Sequence, residues 1–175
     1  RSKAIVAREK LLKIQSHADL TAEAIHLGPA TIELLRGYDL VLDGTDNMQT
    51  RLLLNDFCRR EKIPWVYGAA IQTAGYVIPI LPDGPCLRCF LTEASLETCD
   101  TVGVLNVTTS IIASLQAAQA LKLLLGEGAE PVLLHLDVWK NEWKKLIVKR
   151  NPACRACQGI YDYLDQPEEV RLVRF

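Results

Sequence analysis

The sequence predicts an α/β fold: a mostly parallel sheet flanked by helices that continues into an antiparallel portion and carries a four-cysteine metal site. Three observations predict it. "YDLVLDGTDN" (38–47) is a continuous apolar run that ends in polar residues, as a buried parallel strand does at its carboxyl end. The helical pattern "NMQTRLLLNDFCRREK" and a second apolar run, "PWVYGAA", follow it, a β-α-β order that implies a crossover and a parallel pair. Cys86-x-x-Cys89 and Cys154-x-x-Cys157 have the spacing with which thiolates grip one tetrahedral ion.

The remaining elements follow in order. "KAIVAREKLLKI" reads as an amphipathic helix with Ile5, Val6, Leu11, Leu12 and Ile14 on or near one face. "DLTAEAIHL" alternates like a strand, and "PATIELLRGY" reads as a short helix with Pro29 near its start. "AAIQTAGYVIPIL" predicts two short strands around Gly75. "PDGPCLRC" is a turn bearing the first cysteine pair, and residues 91–102 read as a loop. "GVLNVTTSIIASLQAAQALKLLLG" predicts one long buried helix closed by Gly126. "PVLLHLDVW" and "EWKKLIVKR" read as an antiparallel pair, and "EEVRLVRF" alternates like a strand.

The 175 residues suffice for a single domain spanning 1–175, with 158–175 as the start of a C-terminal extension. At 49% apolar the chain should fold, and a net charge of -1 gives no reason to expect nucleic acid or an acidic membrane as partner. The longest uncharged stretch, Thr101 to Leu121, carries Thr, Asn, Ser and Gln throughout and reads as a core helix instead of a membrane span. Paired Cys-x-x-Cys motifs behind a charged opening, "RSKAIVAREK", point to a metal in a reducing, cytoplasmic setting. The open sheet lacks the strand and G-x-G-x-x-G turn with which a Rossmann-like fold binds phosphates, so either the function does not need that turn or the sequence is part of a longer protein.

Four cysteine ligands favour zinc in a closed, structural site that staples two distant segments. Asp46, in "DGTDN", lies at the sheet edge where ligands bind in open α/β folds; it can hold magnesium on a nucleotide or cap the following helix, and both readings stay open. Arg51 can reach the same edge or serve as a structural ion partner. Cys99, in "ASLETCDTVGV", precedes a helix whose positive end favours a thiolate, while Asp100 opposes it, so a reactive thiolate and an inert half-buried cysteine both stay open. His17, His26 and His135 form no ligand or triad spacing, and Lys3 by composition is a surface lysine.

Taken together, "LVLDGTDNMQTRLLLNDFCRREKIPWVYGAA", "GPCLRC", "TCDTVGVLNVTTSIIASLQAAQALKLLLG" and "NPACRAC" resemble the ThiF/MoeB/HesA family, bacterial relatives of ubiquitin-activating enzymes, from about Ser2 to Cys157. "TCDTVGV" and "DVWKNEW" look closest to its thiazole-synthesis branch. The resemblance implies an adenylyltransferase that uses Mg-ATP to activate the C-terminal Gly-Gly tail of a ubiquitin-like sulfur carrier, of ThiS or MoaD type. It assigns Mg2+ coordination to Asp46, phosphate contact to Lys3, the pocket wall to Asp43, Asn47 and Arg51, and zinc to Cys86, Cys89, Cys154 and Cys157. Cys99 matches the cysteine of a crossover loop that takes part in sulfur transfer, fed by a sulfur donor such as a cysteine desulfurase. The competing readings are MoeB-type activation of MoaD and a non-catalytic, zinc-stapled module that docks a ubiquitin-like protein; a nicotinamide-dependent dehydrogenase needs the absent loop and has no use for the cysteines.

The family works as a dimer, and its phosphate loop, ribose-binding acid and ATP-gripping asparagine and arginine precede the residue that Lys3 matches. These 175 residues alone should therefore bind ATP weakly or not at all. Isothermal titration of Mg-ATP into the isolated chain checks this, and a low-micromolar dissociation constant would refute it.

Overall fold

The computed structural model describes residues 1–91 and 102–165. Its centre is a five-stranded mixed sheet in the order β1 (Val41–Leu42), β2 (Trp65–Ile71), β3 (Ala74–Ile80), β4 (Val132–Asp137), β5 (Glu142–Ile147). β1 pairs parallel to β2, and the other three pairings are antiparallel. The predicted α/β sheet with an antiparallel continuation is present, and among the described residues the antiparallel part is the larger.

α1 (Lys3–Ile14) lies where the periodicity places it, but none of its residues is buried. α2 (Met48–Glu61) forms the crossover between β1 and β2 and buries Leu53, Leu54, Phe57 and Cys58 on one face. It ends at Lys62, in the left-handed region at φ 56°. α3 (Leu87–Phe90) is one turn inside the first cysteine pair, and α4 (Asn106–Leu124) packs against β2 and β3.

Both faces of the sheet are covered at β2 and β3, while β5 stays largely exposed. Period-two alternation along β2 sends Trp65 and Tyr67 into the larger core with Phe57, Ile78 and Leu87, and Val66 to the opposite face with Val77, Leu136 and Ile112 of α4. Two glycines let α4 approach on that second face. A Cβ at Gly68 would lie 2.2 Å from Gln116 Cδ, and one at Gly75 would lie 2.5 Å from Ile112 Cδ1.

Several expectations need correction. "DLTAEAIHL" forms no strand: its alternation finds no strand to pair with among the described residues, and its backbone carbonyls accept instead from side chains, Leu20 O from Arg8 Nε at 2.7 Å and His26 O from Thr31 Oγ1 at 2.8 Å. "PATIELLRGY" yields only a 3-10 turn at Ile32–Leu35. Gly75 lies inside β3; the break between the two strands is the Gln72-Thr73 tip, with Gln72 at φ 51°. The long helix begins at Asn106 and buries a single stripe, Thr108, Ile112, Gln116 and Ala120, while Leu121 and Leu124 are each 60% exposed. An uncharged run predicted burial on all sides, whereas a helix on a sheet buries only the face turned to it. The segment "EEVRLVRF" lies outside the described residues.

Candidate functional site

The carboxyl edge of β1 and β2 is assembled by polar groups that close on one another. Asp43 is 2% exposed. Its Oδ1 accepts from Thr45 N at 2.8 Å and Thr45 Oγ1 at 2.7 Å, and its Oδ2 accepts from Arg51 Nε at 3.0 Å. Arg51 reaches back from the first turns of α2 and also donates through Nη2 to Thr45 O at 2.6 Å and Gly68 O at 3.2 Å. Its guanidinium stands over the Tyr67 ring, 5.4 Å from the centroid. The "DGT" turn is thus clamped to β2 by one arginine. Arg51 lies at this edge and is at the same time the ion partner of Asp43.

The same edge leaves one carboxylate free. Asn47, not Asp46, caps α2: its side chain accepts from Thr50 N at 2.8 Å. Asp46 is exposed, and its carboxylate has no hydrogen bond or ion pair among the described residues. Lys3 is exposed at the start of α1, and no contact among the described residues joins it to Asp46. The structure therefore brings Asp43 and Arg51 into contact, sets Asn47 and Asp46 beside them, and leaves Lys3 apart. Cys99 lies outside the described residues. The residues that follow, Gly103 to Leu105, are held at the β2–β3 tip: Gln72 N donates to Gly103 O at 2.9 Å, and Leu105 N donates to Gln72 O at 2.8 Å.

The four cysteines come together as their spacing predicts. Cys86, Cys89, Cys154 and Cys157 place their sulfurs within 4.8 Å of one another. The Cys86–Cys89 separation is 3.8 Å, and Cys86–Cys154, Cys86–Cys157 and Cys89–Cys157 are each 3.5 Å. A tetrahedral ion bonded to sulfur at about 2.3 Å holds its ligands about 3.8 Å apart, so the donor set fits a metal ion. Without an ion, burial pushes the Cys86 thiol well up, reinforced by the other three cysteines, and burial also raises Cys89. A cation reverses this by stabilising the thiolates. Cys58, the fifth described cysteine, is fully buried and is not one of the four in the cluster, and burial pushes its thiol up to about 12, which makes it inert.

Sequence reasoning missed the polar frame behind this cluster. Asn55 and Asp56 are fully buried in α2. Asn55 Oδ1 accepts from Leu87 N at 2.8 Å, which fixes the knuckle after Cys86, and Asp56 Oδ2 accepts from Tyr163 N at 3.0 Å. Burial raises the Asp56 carboxyl against the opposing pull of the Tyr163 N–H and Arg88. Arg88, between the first two cysteines, pairs with Asp162 at 2.7 Å and stands 3.6 Å from Asp56, while Arg59 Nη1 donates to Gly84 O at 2.7 Å. The signal was legible: "ND" interrupts the apolar face of "LLLNDFC", and a polar pair inside such a face must find partners.

Comparison with known proteins agrees with this architecture. The chain is 37% identical over 167 residues to the sulfur carrier protein ThiS adenylyltransferase of Bacillus subtilis, covering 92% of this chain and 49% of that protein. It is 40% identical over 145 residues to the SAMP-activating enzyme E1 of Haloferax volcanii, covering 79% and 54%. It is 36% identical over 158 residues to the molybdopterin-synthase adenylyltransferase of Escherichia coli, covering 86% and 64%. The chain thus spans about half to two thirds of the length of these relatives. Its fold matches a crystal structure of E. coli MccB with ATP at a TM-score of 0.74 and 18% identity, over 90% of this chain and 50% of that one. The model of the ThiF family matches residues 1–156, from α1 through the first cysteine pair to Cys154 of the second, and the chain belongs to that family.

Proposed function

We propose that the protein containing this chain adenylates the C-terminal carboxylate of a ubiquitin-like sulfur carrier of the ThiS type, for thiazole synthesis in the cytoplasm. The observation that carries the reading is the Asp46 carboxylate at the carboxyl edge of β1, unpaired among the described residues, in a chain with relatives named as sulfur carrier protein adenylyltransferases. Mg-ATP, when bound, supplies the electrophilic α-phosphate and the pyrophosphate leaving group. The carrier carboxylate attacks that phosphorus, the bond to pyrophosphate breaks, and an acyl-adenylate forms.

The protein's part is placement and charge. Asp46 has no partner to surrender among the described residues, so it is available to hold Mg2+ at the phosphates. Asp43, Asn47 and Arg51 form the wall: their side chains hold the loop and the start of α2 in place. Lys3 would contact the phosphates from α1. Zinc at Cys86, Cys89, Cys154 and Cys157 would have four thiolates and no open position, a staple and not a reactive centre. Cys99 would act after the adenylate forms, in sulfur transfer from a donor such as a cysteine desulfurase. A homodimer is the working assembly in this reading.

The test is ATP–pyrophosphate exchange by the full-length protein with a ThiS-type and a MoaD-type carrier, followed by intact mass. Exchange should depend on the ThiS-type carrier. Preference for the MoaD-type carrier would move the protein to molybdopterin synthesis, and exchange with neither would reject adenylation. Cys99→Ser should keep exchange and lose only a covalent carrier adduct; loss of exchange in a folded Cys99→Ser protein would overturn the assigned order of events.

A further inference from the structure

We infer that Gln116 of α4 is a positioning residue for the loop Asp43–Asp46, and through it for the Asp46 carboxylate. The β1 ladder ends where Asp43 N donates to Val66 O at 3.0 Å. One further step of a parallel ladder would meet the Asp43 carbonyl with an N–H from β2. A side chain takes that place: Gln116 Nε2 donates to Asp43 O at 2.8 Å and to Val66 O at 3.1 Å. Gln116 is 8% exposed, so these bonds are made away from water, where an unmatched carbonyl is costly.

Gly68 makes room for the amide, since a Cβ there would fall 2.2 Å from Gln116 Cδ. The same glycine's carbonyl accepts from Arg51 Nη2 at 3.2 Å. The loop is therefore gripped twice, by its carboxylate and the Thr45 carbonyl from α2, and by the Asp43 carbonyl from α4. Asp46 touches neither grip and takes its position from the residues that do. The structural half of this inference stands on these contacts; its catalytic half rests on the proposed role of Asp46.

The experiment compares wild type, Gln116→Met, Gln116→Ala and the double variant Gly68→Ala/Gln116→Ala in the full-length protein. Gln116→Met keeps the length and loses both donors. Hydrogen exchange at the Asp43 and Thr45 amides should quicken about tenfold, and the Mg2+ concentration for half-maximal carrier-dependent pyrophosphate exchange should rise by a similar factor. In the double variant the new methyl fills the vacated slot, so the thermal midpoint should recover relative to Gln116→Ala while both other readouts stay impaired. Recovery of all three together would reduce Gln116 to a space filler and overturn the inference. So would wild-type amide protection in Gln116→Met. If wild type catalyses no exchange with any carrier, the functional reading fails, and the amide measurement still decides whether Gln116 holds the loop.

Discussion

Asp46→Ala should abolish carrier adenylation and leave the fold untouched. The carboxylate is exposed and unpartnered, and the helix cap belongs to Asn47, so its removal breaks no contact among the described residues. Surface changes of this kind stay within about 0.5 kcal/mol of wild type. The loss of charge opposite a phosphate-bound cation should cost about 100-fold or more in rate. Asp43→Ala, three residues away, should differ in stability: it should lose exchange together with the fold that holds the loop. Its side chain is fully buried against Arg51, itself only 12% exposed. Removing one partner of a buried pair leaves an uncompensated charge and costs about 3 kcal/mol. Pyrophosphate exchange beside thermal unfolding checks both variants. An Asp46→Ala protein that retains exchange, or that melts like Asp43→Ala, would show that the free carboxylate is not the metal-holding group.

Loss of one thiolate should have the largest effect on stability. Cys86→Ser removes a buried ligand from a cluster that joins the turn after β3 to residues 151–157. Structural zinc contributes about 10–16 kcal/mol in peptides that lack a core. Here Asn55, Asp56, Arg59 and Arg88 also hold the two knuckles, so a smaller loss is expected, about 4 kcal/mol or roughly 10 °C in midpoint. Elemental analysis should find about one zinc per wild-type chain and almost none in the variant. Cys58→Ala, which removes only a buried thiol from packing, should keep the metal and shift the midpoint far less. A Cys86→Ser protein that keeps its metal and its midpoint would remove the staple from the account.

Local pattern carried most of the fold. The α2 crossover, the β4–β5 hairpin and the cysteine cluster were all legible, because apolar period and ligand spacing are properties of short segments. "DLTAEAIHL" was misread because alternation records a side-chain preference, and a strand exists only with a partner. Asp46 and Asn47 both suit an N-cap, and only the backbone chose between them. The missed residues share one trait: Gln116, Asn55 and Asp56 act on elements distant in sequence. Gln116 reaches a carbonyl 73 positions away, and Asp56 accepts from an N–H 107 positions away. No window along the chain contains both ends of such a bond.

The glycines beneath α4 act like keyways. Ile112 enters the recess at Gly75, and Gln116, one turn on, enters the recess at Gly68. The two keys differ in shape and in polarity. A slide of the helix by one turn would, in one direction, press Ile112 against the carbonyls that need donors and, in the other, leave the amide facing the recess at Gly75. Translation and rotation of α4 are therefore both locked to the sheet.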